Sequence, residues 1–157
     1  MIFVITIAAY SVLLVLVVAG FLLHPTDPLL QSDLQKVTVI IAARNEEGRL
    51  KQCLASIISQ NFPKQFLEIV VVDDASTDRT FKEAGEVLVK SGIEHKIIHN
   101  QQHLGKKQSL KLAIDQSTSD LIICRDADTF TTSNNWLNTI VHYRICLLYT
   151  SAIILFP

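Results

Sequence analysis

Four short apolar runs alternate along this chain with stretches in which apolar residues recur every three to four positions. The runs are "KVTVIIAA" (36–43), "LEIVVVDD" (67–74), "HKIIH" (95–99) and "DLIIC" (120–124). Each is rich in Val and Ile. The first two are nearly continuous in apolar residues, which predicts strands covered on both faces. Between them, "NEEGRLKQCLASIISQ" sets Leu50, Cys53, Leu54, Ile57 and Ile58 at helical spacing. "STDRTFKEAGEVLVKSG" repeats the helical pattern, with Ser76 or Thr77 as N-cap and Gly92 as the stop. "KKQSLKLAIDQS" is a third helix after the loop "NQQHLGKK", and "NNWLNTIVHY" a fourth, with Trp136 in its core stripe. The order β-α-β-α-β-α-β predicts an α/β fold with a mostly parallel sheet and right-handed crossovers.

The amino terminus follows another pattern. Residues 2–23 carry no charged side chain and as a helix would reach about 33 Å at 1.5 Å per residue, enough to cross a bilayer. A cleaved signal peptide would want a basic start, a shorter apolar core and a small-x-small cleavage site, none of which is evident. One transmembrane anchor is therefore expected over residues 1–23. A linker follows over 24–35, in which Pro25 and Pro28 stop the helix. No Lys or Arg precedes the span, whereas Lys36, Arg44, Arg49 and Lys51 follow it, so the domain is expected to face the cytoplasm.

Composition narrows the function classes. With 157 residues and 49% hydrophobic content the chain can build one domain with a sizeable core. Lys and Arg total 14 against 15 Asp and Glu, so no global field attracts nucleic acid, and any phosphate recognition is local. Cys53, Cys124 and Cys146 have neither disulfide nor zinc spacing, which suits a reducing compartment.

The polar residues that remain gather at the carboxyl ends of the predicted strands, where open α/β sheets bind ligands. Arg44, Asn45 and Glu46 follow the first strand, Asp73 and Asp74 the second, Asp126 and Asp128 the fourth. Asp126 and Asp128, one residue apart on extended backbone, face the same way and call for a cation. Their hard oxygens suit Mg2+ or Mn2+, with phosphate oxygens of a ligand completing the shell; the alternative is a solvated acidic turn. Asp73 either accepts a hydrogen bond from a ligand or favours a helix start through the dipole. Gly105, Lys106 and Lys107 either hold a diphosphate at a helix N-terminus or form a solvated lysine pair. His95, His99 and His103 are four apart, but the first two fall on a strand and the third in a loop, so they are not read as a metal-binding helix face. There is no GxGxxG fingerprint and no Walker loop.

Taken together, "VTVIIAARNEE", "IVVVDDASTD", "GKKQSLKLAI" and "ICRDADT", in this order and spacing, resemble the nucleotide-binding half of family 2 glycosyltransferases, inverting enzymes with a Rossmann-like GT-A fold. The resemblance covers residues 36–143. It implies that Ala43, Arg44, Asn45, Glu46 and Asp73 line a pocket for the base and ribose of a nucleotide-diphosphate sugar, with Asp74 supporting them. It implies further that Lys106 lies near the diphosphate and that Asp126 and Asp128 are the DxD pair holding Mg2+ or Mn2+ on it. The implied partners are that donor, UDP-linked, a saccharide or lipid acceptor, and the membrane; nucleic acid is not among them.

The chain also departs from the family pattern. Ala42 stands where many relatives have Pro, Arg44 where many have an aromatic residue, and Ser109 and Lys111 where Ala and Asn are frequent. The family's acceptor-side acidic motif, which carries the general base, has no counterpart after residue 143. From Thr129 to Pro157 there is no Asp or Glu, and His142 is the one residue left to weigh as a base, on a helix where a core-edge or solvated role fits better. An incomplete glycosyltransferase domain over 36–143, followed by a tail of unclear origin over 144–157, is therefore expected. The competing reading is a membrane-anchored sugar-nucleotide-binding module without catalysis. A receiver-type signalling domain, a third possibility, leaves the first motif unexplained.

Overall fold

The computed structural model describes residues 10–16, 18–19, 35–119 and 121–147, without the side chains of 142–147. Of the expected membrane span, residues 10–16, 18 and 19 are helical, and Leu13, Val15 and Leu16 on this piece are exposed. The rest of the span, residues 24–34 of the linker and residues 148–157 of the tail lie outside the described residues. Among the described residues no helix is long and apolar enough to cross a membrane.

The predicted alternation gives a four-stranded sheet. Its strands are β1 (Val37–Ala43), β2 (Leu67–Asp73), β3 (Glu94–His99) and β4 (Leu121–Asp126). They stand in the order β3-β2-β1-β4, and all three pairings are parallel. The order explains the composition of each strand. Central β2 is buried at every position and β1 at all but one, whereas β3 at the edge is nowhere fully buried and carries charged and polar residues.

Side-chain alternation divides the core in two. Val37, Val39, Ile41, Leu67, Ile69, Val71 and Ile123 face helices α1 (Arg49–Ile58), α2 (Thr80–Ser91) and α4 (Trp136–Leu147). Leu50, Cys53, Leu54 and Ile57 of α1 supply the facing stripe. Each such buried Leu or Ile contributes roughly 1.5–3 kcal/mol. Ile40, Val70 and Val72 face α3 (Lys106–Gln116), which meets them with Ala113 and Leu110. Helix α4 runs past residue 143, where the domain boundary was expected.

Two predicted helix starts move. The first helix begins at Arg49 rather than Asn45, because Asn45 (φ 53°) and Gly48 (φ 76°) adopt left-handed backbone and form a loop. The second begins at Thr80, and Ser76 and Thr77 do not cap it; they bind that loop instead. Gly92 ends α2 in the left-handed conformation expected of it.

At the amino end of the sheet an acid is buried without exposure. Glu68, the second residue of β2, accepts hydrogen bonds from the Thr38 hydroxyl (2.6 Å), the Thr118 N–H (3.0 Å) and the Thr118 hydroxyl (2.9 Å). Its other oxygen lies 3.3 Å from Lys96 Nζ. Burial pushes this carboxyl up, but the Thr38, Thr118 and Lys96 donors outweigh it and hold the pKa at about 2 against an ordinary 4.5. The cluster ties the α3–β4 connection to the three strands beside it.

Candidate active site

The sequence order 1-2-3 runs outward from β1, and β4 then returns to β1's free side, so the strand order reverses between β1 and β4. Ligands of doubly wound sheets bind at the carboxyl end of that reversal. A cavity of about 340 Å³ lies there, lined by Ala42, Ala43, Arg44, Glu46, Asp74, His103, Lys106, Asp126, Ala127 and Asp128.

Two loops build its wall by binding each other. In the β1–α1 loop, the N–H groups of Asn45, Glu46, Glu47 and Gly48 donate to Ser76 Oγ (2.9 Å), Thr80 Oγ1 (2.8 Å), Asp78 Oδ2 (3.2 Å) and Glu83 Oε2 (2.8 Å). In return Thr77 N–H donates to Asn45 Oδ1 (2.9 Å) and Arg79 N–H to Glu47 Oε2 (3.2 Å). Burial raises the Asp78 pKa, but the Thr80 hydroxyl and N–H and the Glu47 N–H lower it by more. Backbone donors that would otherwise be left over at the starts of α1 and α2 are thereby satisfied across the two loops.

Asp74 organises the opposite wall. Its Oδ1 accepts from Leu104 N–H (2.8 Å) and Asn100 Nδ2 (3.0 Å); its Oδ2 accepts from Gly105 N–H (2.8 Å) and pairs with His103 Nδ1 (2.7 Å). Burial pushes this carboxyl up, yet the Leu104, Asn100, Gly105 and His103 donors outweigh it and hold it well below the usual range. Asp74 thus folds the 100–105 segment into the turn that starts α3, with Gly105 at φ 86°. Asp73, one residue earlier, is wholly buried and pairs with His99 Nδ1 (2.7 Å). The register sets it between Ala43 and His99. Of the residues expected at the base and ribose, Ala43, Arg44 and Glu46 line this cavity together with Asp74, and Asp73 and Asn45 are not among its lining residues.

The last wall is the tip of β4. Asp126 ends the strand and Asp128 sits in the turn after it, where the Thr129 hydroxyl donates to the Asp126 carbonyl (2.8 Å). Lys106 Nζ lies 2.6 Å from Asp126 Oδ1. Asp126 Oδ2 and the Asp128 carboxylate make no hydrogen bond among the described residues. Among the described residues no three metal-binding side chains cluster. Two carboxylates with open oxygens have the hard donor chemistry that Mg2+ takes when phosphate oxygens of a ligand complete its shell.

Sequence reasoning missed two nearby residues. His103 reaches the cavity through its bond to an acid 29 positions away. Arg125 is only 8% exposed, with its guanidinium 4.7 Å from the centre of the Trp136 ring and Nη2 3.4 Å from Ser56 Oγ. Its inward direction was readable from its parity with Ile123 and Ala127. Behind it, burial pushes the Cys53 thiol up to about 11, against the pull of Arg125. That leaves the thiol protonated and inert, with its Sγ 3.5 Å from the Asp126 carbonyl. Of the three histidines four apart, His95 pairs with the Ile93 carbonyl, His99 with Asp73 and His103 with Asp74. His142 lies on α4, its side chain outside the described ones.

Residues 38–143 match glycosyl transferase family 2. Among curated proteins, the probable glycosyltransferase YdaM of Bacillus subtilis is 37% identical over 98 residues, covering 61% of this chain and 23% of that protein. An N-acetylglucosaminyltransferase of Bradyrhizobium elkanii is 35% identical over 115 residues, covering 68% of this chain and 63% of that protein. Among solved structures, a mannosyltransferase from Pyrobaculum calidifontis in complex with GDP-Man and Mn2+ superposes with a TM-score of 0.69 at 28% identity, over 74% of this chain and 33% of that one. S. aureus TarS 1-349 in complex with UDP-GlcNAc superposes with a TM-score of 0.63 at 27% identity, over 69% of this chain and 30% of that one. The chain spans less than two thirds of the length of each.

Proposed function

This chain belongs to glycosyl transferase family 2, and on that basis we propose that the cavity between β1 and β4 binds a nucleotide-diphosphate sugar, UDP-linked, for transfer with inversion to a hydroxyl of a saccharide or lipid acceptor. The observation that carries this reading is the meeting, around one cavity, of Asp126, Asp128, Lys106 and the loop that Asp74 holds. The Lys106 ammonium, three donors on a flexible stem, can pass from Asp126 to a phosphate oxygen. The Asp74 hydrogen bonds hold the α3 start in shape before a ligand arrives, so binding spends little on ordering that wall. When held by Asp126 and Asp128, Mg2+ or Mn2+ would supply positive charge beside the departing diphosphate.

Deprotonating an acceptor needs a base within hydrogen-bond reach. From Thr129 to Pro157 no Asp or Glu occurs and His142 is the one residue there to weigh, so no residue of this chain is assigned as the base. Residues 2–23 we place in a membrane, with the domain toward the cytoplasm, on the strength of the uncharged run and the basic residues after it. Release of the chain from membranes by carbonate would overturn that placement.

The test of the site is calorimetry. Mn2+ should bind the protein weakly alone and far better with UDP, and Asp128→Asn should abolish the enhancement. Equal Mn2+-assisted UDP affinity in wild type and variant would refute the assignment.

A further inference from the structure

Two imidazoles near the carboxyl edge are each tied through Nδ1 to one of two adjacent acids: His99 to Asp73 and His103 to Asp74, both at 2.7 Å. Their surroundings differ. The His99 ring lies against Phe81, with centroids 5.0 Å apart, and stays outside the cavity lining. The His103 ring is half exposed and lines the cavity, as Asp74 and Lys106 do.

The hydrogen-bond inventory fixes the His103 tautomer. Asp74 receives N–H donors from Leu104, Asn100 and Gly105 on its two oxygens, so it is a carboxylate that can only accept. The proton between it and His103 therefore belongs to Nδ1. In the neutral ring Nε2 then carries a lone pair, and it makes no hydrogen bond among the described residues. The neutral ring thus offers an acceptor, held by a buried acid, on a residue that lines the cavity together with the carboxylate residues Asp126 and Asp128. A carboxylate would attract a cation or a strong donor, whereas an imidazole nitrogen suits a neutral O–H or N–H.

We infer that His103 is a specificity-determining residue, whose Nε2 accepts a hydrogen bond from a neutral donor group of the nucleoside, either a ribose hydroxyl or the imide N–H of the base. This rests on the nucleotide-binding reading above. Removing a neutral hydrogen bond of this kind costs about 3- to 10-fold in affinity.

Titrations with Mn2+ should compare UDP, 2′-deoxy-UDP, 3′-deoxy-UDP and N3-methyl-UDP on wild type, His103→Asn and His103→Gln. Asn can still donate to Asp74 but has nothing at the Nε2 position; Gln places an amide oxygen near that position. Wild type should bind one analogue about 3- to 10-fold more weakly than UDP, and that analogue identifies the donor group. His103→Asn, with an unchanged unfolding temperature, should lose UDP affinity by a similar factor and no longer discriminate against that analogue, while His103→Gln should keep part of the discrimination. His103→Asn binding all four ligands as wild type does, or more weakly by one common factor, would overturn the inference. Failure of wild type itself to bind UDP is a different result: the UDP-sugar reading then fails, and the inference falls with it.

Discussion

The two ends of this sheet both hold acids, and they treat them in opposite ways. At the amino end Glu68 has no exposure and meets three hydroxyl or N–H donors and one ammonium. At the carboxyl end Asp126 and Asp128 both line a cavity, and among the described residues the cation bonded there is Lys106, on Asp126. A carboxylate whose acceptor capacity is filled by its own protein stabilises the fold. Like charges left with open oxygens repel each other, and that arrangement contributes to ligand binding at the expense of stability. Asp74 combines both treatments, since its filled oxygens shape the wall on which a ligand would rest.

If this contrast is right, it breaks in a definite order. Glu68→Ala leaves the Thr38 and Thr118 groups without their shared acceptor and should lower the unfolding free energy by about 2–4 kcal/mol in urea titrations, with any nucleotide affinity of the folded protein unchanged. Next comes acid. The folded-state pKa of Glu68 lies at about 2, below its ordinary 4.5, so its contribution to stability is present above pH 4.5 and is lost as pH falls toward 2. The fall in urea midpoint between pH 6 and pH 3 should therefore be smaller in Glu68→Gln than in wild type. The smallest effect belongs to Asp128→Asn, the variant expected to lose Mn2+-assisted binding. Its unfolding free energy should stay within about 0.5 kcal/mol of wild type, because the residue is exposed and fills no donor. A large loss of stability there would erase the distinction between the two ends.

The four strands were legible because burial on both faces leaves long apolar runs, and the helices because one buried stripe repeats at their period. Boundaries were less so. Ser76 and Thr77 have the chemistry of helix caps, and capping rules are local, but their partners lie in the loop around Asn45, over 30 positions earlier. The same limit applies to Asp73 and Asp74: both follow an apolar run, and only the fold shows that Asp73 pairs with His99 while Asp74 lines the cavity. The residues gathered at the cavity were readable as a group, since strand ends share an edge in a parallel sheet. His103 was not, because its orientation depends on the fold of the 100–105 segment around Asp74.

The chain contains one tryptophan. Trp136 is partly buried and carries the Arg125 guanidinium over its ring, and Arg125 directly precedes Asp126 on β4. Indole emission from this protein therefore arises at a single position and senses a cation one residue from the cavity. A shift of the β4 tip changes the electric field at that ring, so the protein carries its own optical probe of the strand that presents Asp126, read without dye or label.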